Sequence, residues 1–345
     1  MTTAPRATLG ISAFAPDIDG TVRIAQAADR AGLDTTWTSE LFNRSATIAL
    51  AAMACATERT TLGSAITYGV GRSPMTLAAE ARDLDELTGG RFILGVGNGT
   101  RRMISDWHGL DPEAPALRME ELVTLLRELW TVDEPIDHDG RFYRLKFRPI
   151  SDVPPPVSPR LPIYTAGVNP RMVESAGRVA DGIIAHPICS AKYLEEVVRP
   201  AVARGAAHAG RAAADIAITS MVISVINDDV DQARREAAGQ IAFYSSVKSY
   251  DTALANGGFE QEAATIRAAF AARDMEGMRD AVTDAMIDAM AVTGTAADVQ
   301  AGLRRYDGVL DHTIIYSPTH MLSHERVEEN LMSLIAMVES MSALA

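Results

Sequence analysis

The chain has 345 residues, of which 47% are hydrophobic and 22% are charged, and its formal net charge is −13. This acidic balance, without any run of lysine and arginine, argues against a nucleic-acid-binding surface, which needs clustered positive charge. Two distant cysteines make neither a disulfide framework nor a zinc cluster, and residues 1–8 carry no apolar signal core, so we expect a cytoplasmic protein without a membrane segment.

Short apolar runs rich in β-forming residues alternate along the chain with amphipathic helical segments. The first four runs begin roughly 28 residues apart, close to the length of one βα unit. In chain order the eight predicted strands are Ala7–Ser12, Asp34–Ser39, Leu62–Thr67, Arg91–Val96, Leu161–Ala166, Gly182–His186, Ile216–Val225 and His312–Ser317. Eight such units predict an α/β fold, a closed (β/α)8 TIM barrel that forms a single domain over residues 1–345.

Three joins between a helix and the following strand share a glycine. They are Ala28–Asp34, Ala176–Gly182 and Tyr306–Gly308. Glycine adopts the left-handed conformation that ends many helices, so each join predicts a turn back towards the barrel floor. Their repetition favours repeated αβ units over separate domains.

Two segments interrupt this alternation. The first, near residues 131–160, contains Pro154-Pro155-Pro156 and predicts a surface excursion, because consecutive prolines continue neither a helix nor a central strand. The second, near residues 245–293, is rich in alanine and methionine and predicts helices packed near the C-terminal mouth of the barrel. The sequence leaves open whether this second segment is a lid, a scaffold or a dimer element.

The most informative stretch of the chain covers Ser64–Pro74 and Asp83–Gly97, which contains Leu-Asp-Glu-Leu-Thr-Gly-Gly-Arg-Phe-Ile-Leu-Gly-Val-Gly. It resembles the third and fourth βα units of the luciferase-like superfamily. That superfamily includes methylenetetrahydromethanopterin reductases, deazaflavin-dependent glucose-6-phosphate dehydrogenases and FMN-dependent monooxygenases. The resemblance extends over nearly the whole chain, and it implies a barrel with a flavin or deazaflavin at its C-terminal mouth.

A glycine-rich turn, Gly95–Thr100, follows the fourth predicted strand. A dinucleotide fingerprint needs glycine at the sixth position, where Thr100 stands, so that motif is absent. Closely spaced glycines let backbone approach a flat ligand, although a tight βα turn without a ligand explains them too. Together with the neighbouring motif they favour a ligand, and we assign cofactor binding to Gly97, Asn98, Gly99 and Thr100.

A second turn, after the predicted strand Leu161–Ala166, continues into a helix with Pro170 in its first turn. The positive end of a helix dipole and its free N–H groups suit a phosphate. The resemblance implies that this turn holds the cofactor phosphate, a role that falls on Ala166, Gly167 and Val168. An ordinary capped turn is the alternative.

The ends of the second and third strands carry further candidates. The resemblance implies an acidic residue beside the ring at Glu40, but the histidine that often follows is Leu41 here, which weakens a proton-relay role and leaves a structural carboxylate as the alternative. It also implies a non-prolyl cis bulge around Ala65, Ile66 and Thr67 that supports the ring. Arg72, just beyond, is a candidate to contact a phosphate or a substrate anion.

His186 ends the sixth predicted strand, a position that favours function in barrels, although a structural histidine is equally compatible with the sequence. His320 and His324 have helical i, i+4 spacing, but no third ligand accompanies them, so we predict no metal. Glu40 and His186 are the catalytic candidates.

The resemblance favours an enzyme that transfers a hydride between C5 of coenzyme F420, an 8-hydroxy-5-deazaflavin, and a small organic substrate. Thr100 replaces the carboxylate of the sugar-phosphate dehydrogenases, which argues against that substrate. The alternatives are an FMN-dependent monooxygenase and a non-catalytic flavin-binding barrel. Small apolar residues on several faces of the second helix, Ser45–Thr57, together with the resemblance, predict a homodimer.

Overall fold

Eight parallel strands close into a barrel in the computed structural model, which describes residues 7–131, 135–150 and 155–343. Within these residues the strands are β1 Thr8–Ser12, β2 Thr35–Thr38, β3 Thr61–Ser64, β4 Thr67–Tyr68, β5 Phe92–Gly97, β6 Ile136–Asp139, β7 Arg144–Phe147, β8 Ile163–Ala166, β9 Gly182–Ala185, β10 Ala217–Ile226, β11 Ala291–Gly294 and β12 His312–Tyr316. The barrel runs in the order β1, β2, β3, β5, β8, β9, β10 and β12, and β12 pairs with β1 to close the ring. Each barrel strand lies within a predicted strand or overlaps it closely, so the predicted TIM barrel is confirmed.

Helices surround this barrel. They are α1 Ile18–Ala31, α2 Ala46–Ala54, α3 Pro74–Leu87, α4 Pro115–Trp130, α5 Pro170–Val179, α6 Ala191–Tyr193, α7 Arg199–His208, α8 Val230–Ser245, α9 Asp251–Gly257, α10 Glu260–Ala271, α11 Met275–Asp280, α12 Asp284–Met290, α13 Ala296–Leu303 and α14 His324–Ala343. None of the described helices is both long and apolar enough to cross a membrane. The N-terminal residues 1–6, on which the expectation of no signal core partly rests, lie outside the described residues.

The predicted glycine joins are right in two cases and wrong in one. Gly32 ends α1 in the left-handed conformation with φ 79°, and Gly308 precedes β12 with φ 75°. At the second join α5 instead ends on Ala180 with extended backbone. The glycines there serve packing, because a Cβ on Gly182 would lie 2.8 Å from the Tyr164 ring and one on Gly177 would overlap α7.

The two predicted excursions have different structures. Residues 132–134 and 151–154, which include Pro154, lie outside the described residues, and the described part of the first excursion forms the antiparallel hairpin β6–β7. In the second excursion α10, α11 and α12 pack against α8, and α9 packs against α6. It ends in β11, which the sequence did not predict and which pairs with the C-terminal half of β10.

The floor of the barrel is held by a buried histidine. Both ring nitrogens of His312 lie 2.7 Å from threonine hydroxyls, Nδ1 from Thr8 and Nε2 from Thr35. Burial lowers the pKa of His312 to about 4, so the ring is neutral at physiological pH. Its hydrogen bonds tie the start of β12 to the starts of β1 and β2 and so close the ring at its lower end.

Helices α5 and α7 pack closely through two glycines. A Cβ on Gly205 would overlap the carbonyl oxygen of Glu174, and it would lie 3.1 Å from Cα of Gly177. Because backbone is the obstacle, neither helix can yield by changing a rotamer. The close contact between α5 and α7 therefore depends on glycine at position 205.

We expect Gly205→Ala to lower the free energy of unfolding by about 1–3 kcal/mol, because the added methyl group overpacks the helix contact. In an open helix the same change would instead stabilise the protein by up to about 1 kcal/mol. Urea unfolding followed by circular dichroism measures the difference. Ala207→Ser on the exposed face of α7 is the control, and a stabilised Gly205→Ala protein would contradict the close packing.

Candidate active site

Strand register identifies the side chains that face into the barrel at its C-terminal mouth. Gly95 faces inward, because a Cβ there would lie 2.7 Å from Cδ1 of Ile184, and alternation along β5 makes Gly97 face inward as well. A Cβ on Gly97 would lie 3.2 Å from Cβ of Ala166, which pairs with Ile184. On β3, Gly63 faces the Trp37 ring, and alternation turns Ala65 the same way.

Ala65 directly after β3, Gly97 at the end of β5 and Ala166 at the end of β8 therefore form a shelf of small residues. On the other side of the mouth the inward positions carry large polar rings. His186 lies two residues beyond Ile184, and Tyr316 ends β12 on the same face as His312. The mouth thus has a flat, small-residue side and an aromatic side.

The peptide bond between Ala65 and Ile66 is cis, at the place that the resemblance implied. Ser39 Oγ donates to the carbonyl oxygen of Ala65 at 2.6 Å, and the Glu40 amide donates to that of Ile66 at 2.9 Å. Thr67 then starts β4, which pairs with the end of β5. The end of β2 therefore holds this bulge in place, and the Ile66 side chain lies over Gly97.

Glu40 and Arg72 form a two-pronged ion pair. Arg72 Nη1 and Nη2 donate to the two carboxylate oxygens at 2.7 and 2.8 Å, and the Tyr68 amide donates to Glu40 at 2.9 Å. Arg72 Nε also donates to Glu80. Burial acts to lower the pKa of Arg72. The hydrogen bonds and the charge of Glu40 outweigh burial, so the pKa of Arg72 is raised.

These contacts favour the structural explanation of Glu40, because its carboxylate is already occupied by a cation. Arg72 is likewise engaged by two carboxylates rather than turned towards a free anion. Burial and the Glu40 charge raise the pKa of Tyr68 to about 12, so this phenol stays protonated. The catalytic role of Glu40 and the anion contact of Arg72 stay predictions.

The glycine-rich turn brings a buried amide to the mouth. Asn98 Nδ2 donates to the carbonyl oxygen of Pro115 at 2.9 Å, while its Oδ1 is buried and has no partner among the described residues. Gly99 has φ 69°, which only glycine adopts readily. The hydroxyl of Thr100 accepts from the Met103 amide at 3.2 Å, so Thr100 starts the following π-helical turn.

The predicted phosphate turn leads from the shelf into α5. The Gly167 amide donates to the carbonyl oxygen of Ile184 at 3.3 Å, so this N–H is not free, and the Val168 carbonyl accepts from the Tyr193 hydroxyl at 2.9 Å. Asn169 precedes α5 without capping it, because its side chain instead donates to the Ser249 carbonyl. The first turn of α5 therefore has no side-chain cap, and exposed Arg171 adds a positive charge beside it.

His186 is enclosed by two aromatic rings. It stacks on Tyr250 with ring centroids 4.2 Å apart, and it meets Tyr244 edge-on at 4.4 Å. Its Nδ1 accepts from the Ile188 amide at 3.2 Å, which places the proton on Nε2. Burial lowers the pKa of His186 to about 3, so it is a neutral hydrogen-bond donor at physiological pH.

Sequence reasoning missed the tyrosines of this wall. Tyr316 stands at the C-terminal end of a predicted strand, a position that marks functional residues in barrels, and so carried a usable signal. Tyr244 and Tyr250 lie on α8 and just after it, where nothing in the sequence relates them to His186. Among the described residues no group of His, Cys, Asp and Glu is arranged to hold a metal ion.

Comparison with known proteins extends this picture. The family model for luciferase-like monooxygenases matches residues 1–313. The uncharacterized protein Rv1360 of Mycobacterium tuberculosis is 32% identical over 313 residues, which cover 86% of this chain and 92% of that protein. The 5,10-methylenetetrahydromethanopterin reductase of Archaeoglobus fulgidus is 28% identical over 283 residues, which cover 79% and 81%.

Two solved structures illustrate the shared fold. The coenzyme F420-dependent tetrahydromethanopterin reductase of Methanopyrus kandleri superposes with a TM-score of 0.80 at 23% identity, over 96% of this chain and 99% of that one. The oxygenating constituent of 3,6-diketocamphane monooxygenase from Pseudomonas putida, in complex with FMN, has a TM-score of 0.69 at 16% identity, over 98% of each chain. At these identities the likeness establishes the fold.

We expect the Glu40–Arg72 pair to be a structural unit. Arg72→Leu alone should lower the free energy of unfolding by about 3 kcal/mol, because it leaves the carboxylates of Glu40 and Glu80 without their cation. Glu40→Leu alone should cost less, because Arg72 keeps its contact with Glu80. The double variant should lose much less than the sum of the two. Urea unfolding of the three variants measures this coupling.

The control is Lys146→Leu in the exposed pair Lys146–Asp137, which should cost less than about 1 kcal/mol. If the costs of Glu40→Leu and Arg72→Leu simply add, then the two side chains do not stabilise each other. In that case the structural explanation of Glu40 is wrong.

Proposed function

This chain belongs to the luciferase-like monooxygenase family, and from that premise we propose that it is an oxidoreductase that uses coenzyme F420 to transfer a hydride to or from a small organic substrate. Relatives named as F420-dependent, among them the F420-dependent glucose-6-phosphate dehydrogenase of Nocardia farcinica and the putative coenzyme F420-dependent oxidoreductase Rv3520c of Mycobacterium tuberculosis, support the cofactor. The observation that carries the proposal is the shelf of Ala65, Gly97 and Ala166, and Asn98, whose buried Oδ1 has no partner among the described residues, directly follows Gly97 in the chain.

The residues at the mouth fit a deazaflavin. A flat tricyclic ring needs a surface of small residues, and we propose that Ala65, Gly97 and Ala166, with the Ile66 side chain over Gly97, form that surface. The ring carries an N–H group on its pyrimidine edge, and Asn98 Oδ1 is a buried acceptor without a partner among the described residues. Leaving such an acceptor unpaired costs free energy, and a bound N–H donor would remove that cost.

When bound, coenzyme F420 supplies hydride exchange at the C5 carbon of its ring. The chain's own residues then have three tasks. The shelf and Ile66 support one face of the ring, the first turn of α5 with Arg171 attracts the phosphate, and neutral His186 offers an Nε2 proton to a partner in the mouth. A neutral donor suits this position, because it orients an acceptor without adding a charge that must be desolvated.

FMN is the second candidate. A structural neighbour in complex with FMN shares the fold over 98% of this chain, and FMN has the same flat ring and a phosphate. The shelf alone does not distinguish the two cofactors. A monooxygenase would use the bound flavin to activate oxygen, which a deazaflavin does not do.

We expect titration with coenzyme F420 to perturb the absorption band of the deazaflavin at lower concentrations than titration with FMN perturbs the flavin bands. Arg171→Glu should weaken F420 binding about tenfold, which corresponds to 1.4 kcal/mol, because it reverses the charge beside the phosphate. Arg30→Glu, at the exposed C-terminal end of α1, is the control and should bind as the unchanged protein does.

The other possible outcomes of this titration distinguish the remaining proposals. Tighter binding of FMN would favour the monooxygenase, and binding of neither cofactor would favour a non-catalytic barrel. Equal loss of affinity in Arg171→Glu and Arg30→Glu would show an effect of overall charge, and the phosphate site at α5 would then be wrong.

We also propose that the protein is a homodimer through α2. Ile48 on this helix is 65% exposed, whereas Leu50 and Met53 on its other face are buried in the barrel. Phe42, in the loop before α2, is 80% exposed. Large apolar side chains that stay exposed near each other are typical of interaction surfaces.

Light scattering at micromolar concentration should therefore give twice the mass of one chain. Ile48→Lys should shift the protein towards the monomer, because it places a charge in the centre of the interface. Met332→Lys changes an equally apolar but separate surface residue on α14 and should leave the dimer intact. A monomer in the unchanged protein would exclude this proposal.

A further inference from the structure

Two tyrosine hydroxyls meet on the aromatic side of the mouth. Tyr316 is the last residue of β12, faces inward by register and is only 8% exposed. The hydroxyl of Tyr244, on α8, donates to the hydroxyl of Tyr316 at 3.1 Å. Since the Tyr244 ring also packs edge-on against His186, this pair lies beside the neutral imidazole.

The hydrogen bonds around this pair have one direction. Gln240 Oε1 accepts from the amides of Thr319 and His320 at 2.9 and 3.0 Å, which turns the NH2 group of Gln240 away from that loop. The Tyr244 hydroxyl, whose pKa the Gln240 side chain acts to lower, donates its proton to Tyr316. The Tyr316 oxygen thus accepts a hydrogen bond from Tyr244. The proton of Tyr316 is the last in this series of hydrogen bonds and can be donated to a ligand.

Both phenols stay protonated at physiological pH. Burial raises the pKa of Tyr244, and it also raises the pKa of Tyr316, although the side chains of Tyr244 and Thr319 act to lower the latter. A protonated phenol whose oxygen already accepts a hydrogen bond is a better donor, because such chains polarise each other. The wall therefore presents two uncharged donors, the Tyr316 hydroxyl and His186 Nε2.

We propose that Tyr316 is a catalytic residue that donates its proton to the oxygen of an uncharged carbonyl substrate, and that Tyr244 is the residue that positions it. This inference rests on the proposed function. Two neutral donors select a neutral acceptor, and the charged pair at the mouth, Glu40 and Arg72, is compensated internally. An aromatic wall and a carbonyl acceptor together indicate a largely apolar ketone or aldehyde.

The reaction balances without a further reactant. The carbonyl carbon gains a hydride from the reduced deazaflavin, and a C–H bond forms as the C=O π bond breaks. Its electron pair moves to the oxygen, which takes the proton of Tyr316 to give an alcohol. The carbonyl would be reduced and the deazaflavin oxidised, and the proton that the oxidised ring releases to solvent balances the proton that the Tyr316 phenolate takes up when the product leaves.

The test uses cyclohexanone as the probe, with the protein loaded with oxidised coenzyme F420 so that no turnover occurs. A hydrogen bond from Tyr316 should lower the infrared stretching frequency of the bound carbonyl. Tyr316→Phe should abolish this shift, Tyr244→Phe should keep a smaller one, and Tyr143→Phe on the outer hairpin should leave it unchanged. With reduced cofactor, Tyr316→Phe should also lower kcat about a hundredfold, the usual loss for a general acid.

Cofactor titration of the same variants separates the two proposals. If the unchanged protein does not bind F420, the proposed function itself is wrong. If F420 binds equally to all variants but the carbonyl shift is absent, or persists in Tyr316→Phe, only the role of Tyr316 is overturned. Loss of F420 binding in Tyr316→Phe would place this residue in the cofactor site and would overturn its role as donor to the substrate.

Discussion

The structure depends on a steric constraint inside the barrel, where two large aromatic side chains each require a glycine on the neighbouring strand. The Trp37 ring fills the space over Gly63, and the Tyr164 ring fills that over Gly182. Trp37 and Tyr164 also contact each other with centroids 6.3 Å apart. These rings fill the lower barrel, so the next layer up on β3, β5 and β8 can consist of the small residues that form the shelf.

The electrostatics of the mouth follow from the same enclosure. Charges that enter this region are paired, as with Arg72 between Glu40 and Glu80, because an unpaired charge is costly to bury. A buried titratable group without an ionic partner is neutral instead. His186 is an example, because burial lowers its pKa. The buried part of the mouth therefore offers directed hydrogen bonds rather than unpaired charge, which suits the proposed hydride transfer.

The fold was largely predictable from the sequence, because parallel barrel strands are apolar on both faces and recur at the spacing of a βα unit. The strand β11 was not, since Ala291–Gly294 follows α12 directly, without a turn that would mark the start of a new strand. Gly177 and Gly182 led to a wrong prediction of a left-handed turn. Glycine is required both for such turns and for close packing, and the sequence does not distinguish the two. Resemblance anticipated the cis bond between Ala65 and Ile66. The partners of Glu40 and the ring cluster around His186 depend on contacts between distant segments, which the sequence does not reveal.

The extra strand β11 also decides how the second excursion can move. β11 pairs with residues 223–226 of β10, just beyond residues 217–220, which pair with β9. Backbone hydrogen bonds therefore fix the C-terminal end of the second excursion to the sheet. At its near end it continues from α8, against which α10, α11 and α12 pack. A segment that is fixed at both ends is expected to support the barrel and not to open as a lid. We therefore infer that a ligand entering the mouth displaces single side chains, such as the Tyr250 ring over His186, and leaves the backbone of this segment in place.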